Sequence, residues 1–154
     1  MKFLIINGPN LNLMHFTEPG VAGQIDYNAL LDYLEVCCQQ MDIEVEFFQS
    51  NHEGDLVDEI QSAAGRADGI VINPGAYAHY SVAILDALRV CGVPAVEVML
   101  NEPDGREPFR NTDVVSFGCQ GHFIGEGISS YLHACAYLAQ LLRLDGSGHA
   151  HIVN

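Results

Sequence analysis

The sequence predicts an α/β domain built on a five-stranded parallel sheet, and three observations predict it. Five short apolar runs alternate with stretches of helical period along the chain. Two of the runs stop at turn residues, Asn7-Gly8-Pro9 and Asn73-Pro74-Gly75. The 154 residues suit one domain, which at this size buries roughly 68–70% of its unfolded surface. Strands separated by helices make βαβ units, which require a parallel sheet covered on both faces.

Taken in order, the run 3–6 reads as a buried strand ended by the Gly-Pro turn. A loop bearing Gly and Pro covers 13–25. Tyr27, Leu30, Leu31, Leu34, Cys37, Cys38 and Met41 then recur at helical spacing, with Asp26 as the N-cap. The run 43–48 is a second strand with acidic residues alternating outward, and Leu56, Val57, Ile60, Ala63 and Ala64 mark a second helix. The run 69–72 is a third strand. Ser81 caps a helix through Ile84, Leu85 and Leu88 that stops at Gly92. The fourth strand is expected over 94–99 and a fifth over 117–124, interrupted by Gly118 and Gly121. The last helix carries Ile128, Tyr131, Leu132, Cys135, Leu138 and Leu142. One domain is expected over 1–144, with 145–154 as a loose tail.

Composition excludes several classes of function. Six Lys and Arg stand against 20 Asp and Glu, a net charge of −14 that argues against nucleic acid and anionic membranes as partners. No apolar run approaches the ~20 residues of a bilayer span. The start, Met1 to Ile6, resembles a signal peptide only until Asn7-Gly8-Pro9-Asn10 ends the run. Five cysteines without a CxxC pair read as free thiols of a cytoplasmic protein. No metal is expected, because His149-Ala150-His151 lies near the terminus and His52-Glu53 lacks a partner at ligand spacing. Gly118-Cys119-Gln120-Gly121 has the wrong spacing for a nucleotide-binding loop.

In such sheets the ligand lies beyond the carboxyl ends of the strands. That places the segments 7–12, 73–81 and 101–110 at the site. Arg66, Arg89 and Arg143 each fall near a helix C-terminus, where a cation complements the dipole, and Lys2 is expected to be solvated. Arg106 and Arg110 follow the fourth strand. Each is either an ion-pair partner of Glu102, Glu107 or another subunit, or a clamp for carboxylate or phosphate. His79 reads either as a structural donor or as an acid–base group, since imidazole titrates near neutrality. Asn10, Asn12 and Asn73 read as turn residues or as polar-ligand contacts.

The segments 7–13, 48–54 and 72–77, His79, 81–83, 96–98 and 106–110 together resemble type II 3-dehydroquinate dehydratase, in order and at family spacing from about residue 2 to 142. The resemblance implies a flavodoxin-like three-layer fold and a cofactor-free dehydration in the shikimate or quinate pathway. It also implies a homododecamer of trimers, which the 49% apolar content suits. The family's lid reads roughly Leu-Gly-x-Arg-Glu-Pro-x-x-Tyr-Gly. Here Thr17 stands at the arginine position and Ala22 at the tyrosine position. Met99 aligns with the histidine that follows Glu-Val, and Asn101 with a carboxylate-holding serine. The matching positions are Asn10, Asn73, His79, Asp86, Glu97, Arg106 and Arg110.

Proton abstraction beside a carbonyl needs a base of suitable pKa, and a phenol near 10 serves only when a cation lowers it. Ala22, Thr17 and Met99 supply none of these functions. The expectation is therefore a diverged lyase, dehydratase or cyclase acting on a small hydroxylated or carboxylated molecule. One alternative is a non-catalytic ligand-binding or assembly member. The other is a 3-dehydroquinate dehydratase, forming 3-dehydroshikimate, with relocated catalytic groups. Candidate catalytic residues are His15, His79, Tyr80 and Asn10. Asn10, Asn12, Asn73, His79, Asp86, Leu100, Asn101, Arg106 and Arg110 form the expected binding wall.

Overall fold

The computed structural model describes residues 1–17, 20, 22–103, 105 and 107–146. Its five strands are β1 (Lys2–Asn7), β2 (Glu44–Gln49), β3 (Gly69–Asn73), β4 (Ala95–Met99) and β5 (His122–Ile124). All pair in parallel, in the order β2-β1-β3-β4-β5, the flavodoxin-like arrangement. α1 (Tyr27–Gln40) and α4 (Ser129–Gly146) cover one face, and α2 (Glu53–Ser62) and α3 (Val82–Cys91) the other.

The strict alternation of a strand divides the apolar residues between two cores. Phe3, Ile5, Val71, Val96 and Val98 pack against α1 and α4. Leu4, Ile6, Ile70, Ile72 and Ala95 pack against α2 and α3. The inner strands are buried on both faces, hence their continuous apolar sequences. Both expected caps form: Asp26 accepts from the Ala29 amide at 2.9 Å and Ser81 from the Ile84 amide at 3.0 Å. Gly92 ends α3 in the left-handed region.

Several expectations are corrected. The fifth strand is only three residues long, because 115–118 form a 3₁₀ turn instead. A Cβ on Gly118 would stand 3.1–3.3 Å from Leu85 and Leu88, and one on Gly121 would meet the Tyr137 ring at 2.8 Å. These glycines let the chain lie flat against α3 and α4 before it joins the sheet. Lys2 is not merely solvated: its Nζ lies 3.7 Å from Glu44 and 3.2 Å from Glu46 on the edge strand. Arg66 pairs with Glu59 and, at 3.4 Å, with Glu46. α4 runs to Gly146. Residues 147–154, including His149-Ala150-His151, lie outside the described residues. All five cysteines are free thiols. Among the described residues, no helix is long and apolar enough to cross a membrane.

Candidate active site

The switch point of this sheet falls between β1 and β3, and the turns that leave these strands pack on one another. The Gly8 amide donates to the Asn73 carbonyl at 2.8 Å. Asn10 follows in the left-handed region (φ 69°), its amide donating to Asn51 Oδ1 at 3.0 Å. A non-glycine residue held there marks a constrained backbone. Beside it opens a cleft of about 330 Å³ lined by Asn10, Asn73, His79, Met99, Asn101 and Arg110, with Met14 and Leu100 among its apolar walls. A second hollow of about 320 Å³ holds His15, Thr17 and Gln24, and shares Met14, Leu100 and Asn101 with the first. A third, about 260 Å³, adds Glu102 and Glu107 and shares His79, Met99, Asn101 and Arg110. The three hollows thus form one branched depression at the strand ends.

His79 closes a 3₁₀ turn, and its Nδ1 lies 2.8 Å from the Thr112 carbonyl. A carbonyl only accepts, so Nδ1 carries the hydrogen. Nε2 is left to accept from a ligand when neutral or to donate when protonated. Arg110 pairs through Nε with Glu107 and stacks near Phe109, its Cζ 5.5 Å from the ring centroid. The outer guanidinium nitrogens take no part in that pair. Ion pairing and a place in the cleft therefore coexist for Arg110.

Behind Asn73 lies a buried chain of side chains. Asn73 donates through Nδ2 to the Tyr131 hydroxyl at 3.0 Å, and its Oδ1 accepts from the Gly75 amide at 3.2 Å. Tyr131 donates to Asn7 Oδ1 at 2.6 Å, and Asn7 Nδ2 donates to the Tyr27 hydroxyl at 3.1 Å. Burial raises both phenols above their usual range, Tyr131 furthest. Sequence pattern placed Tyr27 and Tyr131 only as apolar helix positions. The available signal was chemical, since a buried tyrosine needs a partner and Asn7 ends an otherwise apolar strand.

On β4, Glu97 and Met99 project from the same face, two residues apart. Met99 gives the cleft an apolar surface. Glu97 is fully buried, and neither carboxyl oxygen accepts from an N–H or hydroxyl group of the described residues. Burial pushes its pKa up to about 9, and the neighbouring Asp113 carboxyl adds to the rise. His122 Nδ1 stands 3.6 Å away. Burial, followed by the charges of Glu97 and Asp113, also holds the Cys119 thiol far above its usual range, so it offers no thiolate nucleophile.

Three expected site residues do not join the cleft. Asn12 turns its Oδ1 to Gln49 Nε2 at 3.3 Å. Tyr80 is 63% exposed and packs edge-on against Tyr77, with ring centroids 5.7 Å apart. Asp86 lies on the exposed face of α3, between buried Leu85 and Ala87. Arg106 lies outside the described residues. In the lid segment, Phe16 and Ile25 exchange two backbone bonds of 2.8 Å, which pin both ends of the loop. Phe16 is buried beneath it, Thr17 reaches the second hollow, and Ala22 is exposed without lining a hollow.

Among the described residues no group of three His, Cys, Asp or Glu side chains is placed to hold a metal ion. The family model described as Dehydroquinase class II matches residues 1–139. The chain is 44% identical over 142 residues to a 3-dehydroquinate dehydratase of Caldicellulosiruptor bescii, covering 92% of this chain and 98% of the relative. A protein of the same name from Lachnospira eligens is 43% identical, over 92% and 97%. Among solved structures, the type II dehydroquinase of Butyrivibrio crossotus superposes with a TM-score of 0.82 at 43% identity, covering 90% of this chain and 97% of that one. A 3-dehydroquinate dehydratase-like protein of Bifidobacterium longum gives 0.70 at 26% identity, over 92% and 98%.

Proposed function

This chain belongs to the class II dehydroquinase family, and on that premise we propose that it is a cofactor-free lyase whose cleft takes a small hydroxylated carboxylic acid. Dehydration of 3-dehydroquinate to 3-dehydroshikimate is the reaction that the names of its relatives support best. The observation that carries the reading is the meeting of Asn10, Asn73, His79, Asn101 and Arg110 around one cleft at the switch point. In this reading the backbone amides of Leu100 and Asn101, with the Asn101 side chain, hold the substrate carboxylate. Arg110 supplies positive charge in a strongly acidic protein, and Asn10, Asn73 and His79 bind hydroxyl and carbonyl oxygens.

Dehydration needs one group to take a proton beside the carbonyl and one to protonate the leaving hydroxyl. His79, with Nε2 free, is the titratable ring in the main cleft, and His15 lies across the shared Met14–Leu100–Asn101 wall. These two are the proposed proton-transfer groups.

A second reading rests on Thr17, Ala22 and Met99: a diverged member that binds such an acid, or transforms a different one, without turning over 3-dehydroquinate. General acid–base groups each contribute typically 10²–10⁴-fold, so their replacement separates the readings by orders of magnitude. Purified protein is assayed with 3-dehydroquinate by the absorbance of its conjugated enone product, and quinate binding is measured by calorimetry. Turnover that falls on substituting His15 or His79 supports the dehydratase. Quinate binding with no turnover supports the second reading. Neither turnover nor binding overturns the assignment of the cleft.

We also propose that the chain assembles with itself, as the homododecamer of the family resemblance. Asp86 lines none of the three hollows described above, so a substrate-binding role for it is proposed to come through a second copy. Val82, Val90 and Phe117, on and beside α3, are 56%, 82% and 74% exposed, an apolar surface suited to such contact. A monomer mass by light scattering at micromolar concentration contradicts this assembly.

A further inference from the structure

The hydrogen-bond chain behind the cleft has only one consistent polarity. A backbone amide is an obligate donor, so the Asn73 atom facing the Gly75 amide at 3.2 Å is Oδ1 and the atom facing Tyr131 is Nδ2. The Tyr131 hydroxyl, accepting from Asn73, has its one proton left for Asn7, whose facing atom at 2.6 Å is therefore Oδ1. Asn7 Nδ2 then faces the Tyr27 hydroxyl at 3.1 Å. One amide of the turn after β3 thus fixes the orientation of four side chains drawn from β1, β3, α1 and α4. Asn7, Asn73 and Tyr131 are buried, with no room for an amide to turn without losing partners.

We propose that Tyr131 is a positioning residue for the cleft: its hydroxyl locks the Asn73 amide so that the side chain offers a ligand its second N–H, with its oxygen committed to the Gly75 amide. The ligand atom met there must be an acceptor oxygen, as in a carbonyl, a carboxylate or a hydroxyl lone pair. This deepens the proposed function and rests on it, because it is the acid-binding cleft whose recognition Tyr131 governs. Tyr131 acts only through Asn73, since it lines none of the described hollows and touches the site by no other bond.

The test combines quinate binding with side-chain amide exchange in ¹⁵N-labelled protein, the Asn73 signal being assigned by its loss in Asn73→Ser. In the ligand-free parent, the Asn73 proton bound to Tyr131 exchanges at least about tenfold more slowly than its geminal partner, and Tyr131→Phe removes that protection. Tyr131→Phe weakens quinate about tenfold, and the double variant with Asn73→Ser binds no more weakly than Asn73→Ser alone. Additive losses, parent-like quinate binding by Tyr131→Phe, or unchanged exchange in that variant overturn the proposal. Where the parent itself binds no quinate, the acid-binding reading falls while the exchange measurement still decides the role of Tyr131. Where Tyr131→Phe does not fold, the parent alone decides, since equal exchange of the two geminal protons refutes the lock.

Discussion

Two buried polar clusters lie on opposite faces of the same sheet, and they handle burial in opposite ways. On the α1–α4 face, Asn7, Tyr27, Asn73 and Tyr131 satisfy one another through neutral donors and acceptors. On the α2–α3 face, Glu97 is equally buried, yet its carboxyl oxygens accept from no N–H or hydroxyl group, and the side chain it meets is another acid, Asp113. Neutral groups that hydrogen-bond one another give a fixed geometry at little dependence on pH. A buried carboxyl beside a second acid holds its proton to higher pH instead, and the fold then carries a titration. The first cluster stands behind the cleft wall and sets its shape. The second lies under Met99, where it ties stability to pH.

The largest effect expected from breaking this contrast is in the satisfied cluster. Tyr131→Phe keeps the ring and strands both Asn73 Nδ2 and Asn7 Oδ1. Each unsatisfied buried group costs about 1–3 kcal/mol, so with two of them the variant loses about 2–6 kcal/mol of stability. Urea unfolding at neutral pH, read as a lower midpoint at unchanged slope, measures this. A loss below about 1 kcal/mol shows that the chain of bonds contributes little and ends the comparison.

Arg110 sharpens it from the side of charge, since its partner Glu107 leaves the outer nitrogens for a ligand. Arg110→Ala is expected to weaken quinate by about 1.5–3 kcal/mol, the range for a hydrogen bond to a charged group, with little change in folding. Calorimetry in low and high salt checks both the loss and its screening.

Glu97 supplies the pH-dependent arm. Its folded pKa of about 9 lies above the unfolded value of a glutamate, near 4.3, so the folded state binds the proton more tightly. That stabilisation is complete below the unfolded value and is lost as pH rises toward about 9. Glu97→Gln retains the shape and cannot ionise. The stability of the variant minus that of the parent should therefore rise steadily between pH 5 and 9, reaching at least about 1–2 kcal/mol. Thermal unfolding across that range reads the difference, and a flat difference means that Glu97 ionises freely in the fold.

Much of this architecture is legible in the chain itself. Apolar runs with turn residues at their ends locate the strands, Asp26 and Ser81 announce two helix starts, and the strand ends locate the cleft. Asn7 and Tyr131 are 124 positions apart, however, and no local pattern couples them. The same holds for Glu97, whose raised pKa comes from the burial that the whole sheet creates and then from Asp113. Gly118 and Gly121 interrupt an apparent strand because α3 and α4 press against the chain there, a constraint visible only once both helices are placed. Tyr80 adjoins His79 in sequence but leaves the cleft because Tyr77 gives its ring an edge-on contact. Local periodicity and cap chemistry carry the elements, while recognition depends on bonds that close over long separations.

The smallest expected effect lies at the outer end of the satisfied cluster. Tyr27 is half-buried, so removing its hydroxyl exposes Asn7 Nδ2 toward a side that water can reach. A donor that regains water loses only the net value of one hydrogen bond, roughly 0.5–1.5 kcal/mol, rather than the full desolvation cost. Tyr27→Phe should therefore destabilise less than Tyr131→Phe and leave quinate binding nearly unchanged, because Tyr131 still holds Asn73. The double variant Tyr27→Phe/Tyr131→Phe discriminates further. With Asn7 already released by the loss of Tyr131, the second substitution should cost less than it does alone, the non-additivity of groups sharing one network. Urea midpoints of the four proteins give the coupling directly. Strict additivity would show that Tyr27 and Tyr131 act as separate anchors, reducing the four-residue chain to two independent pairs.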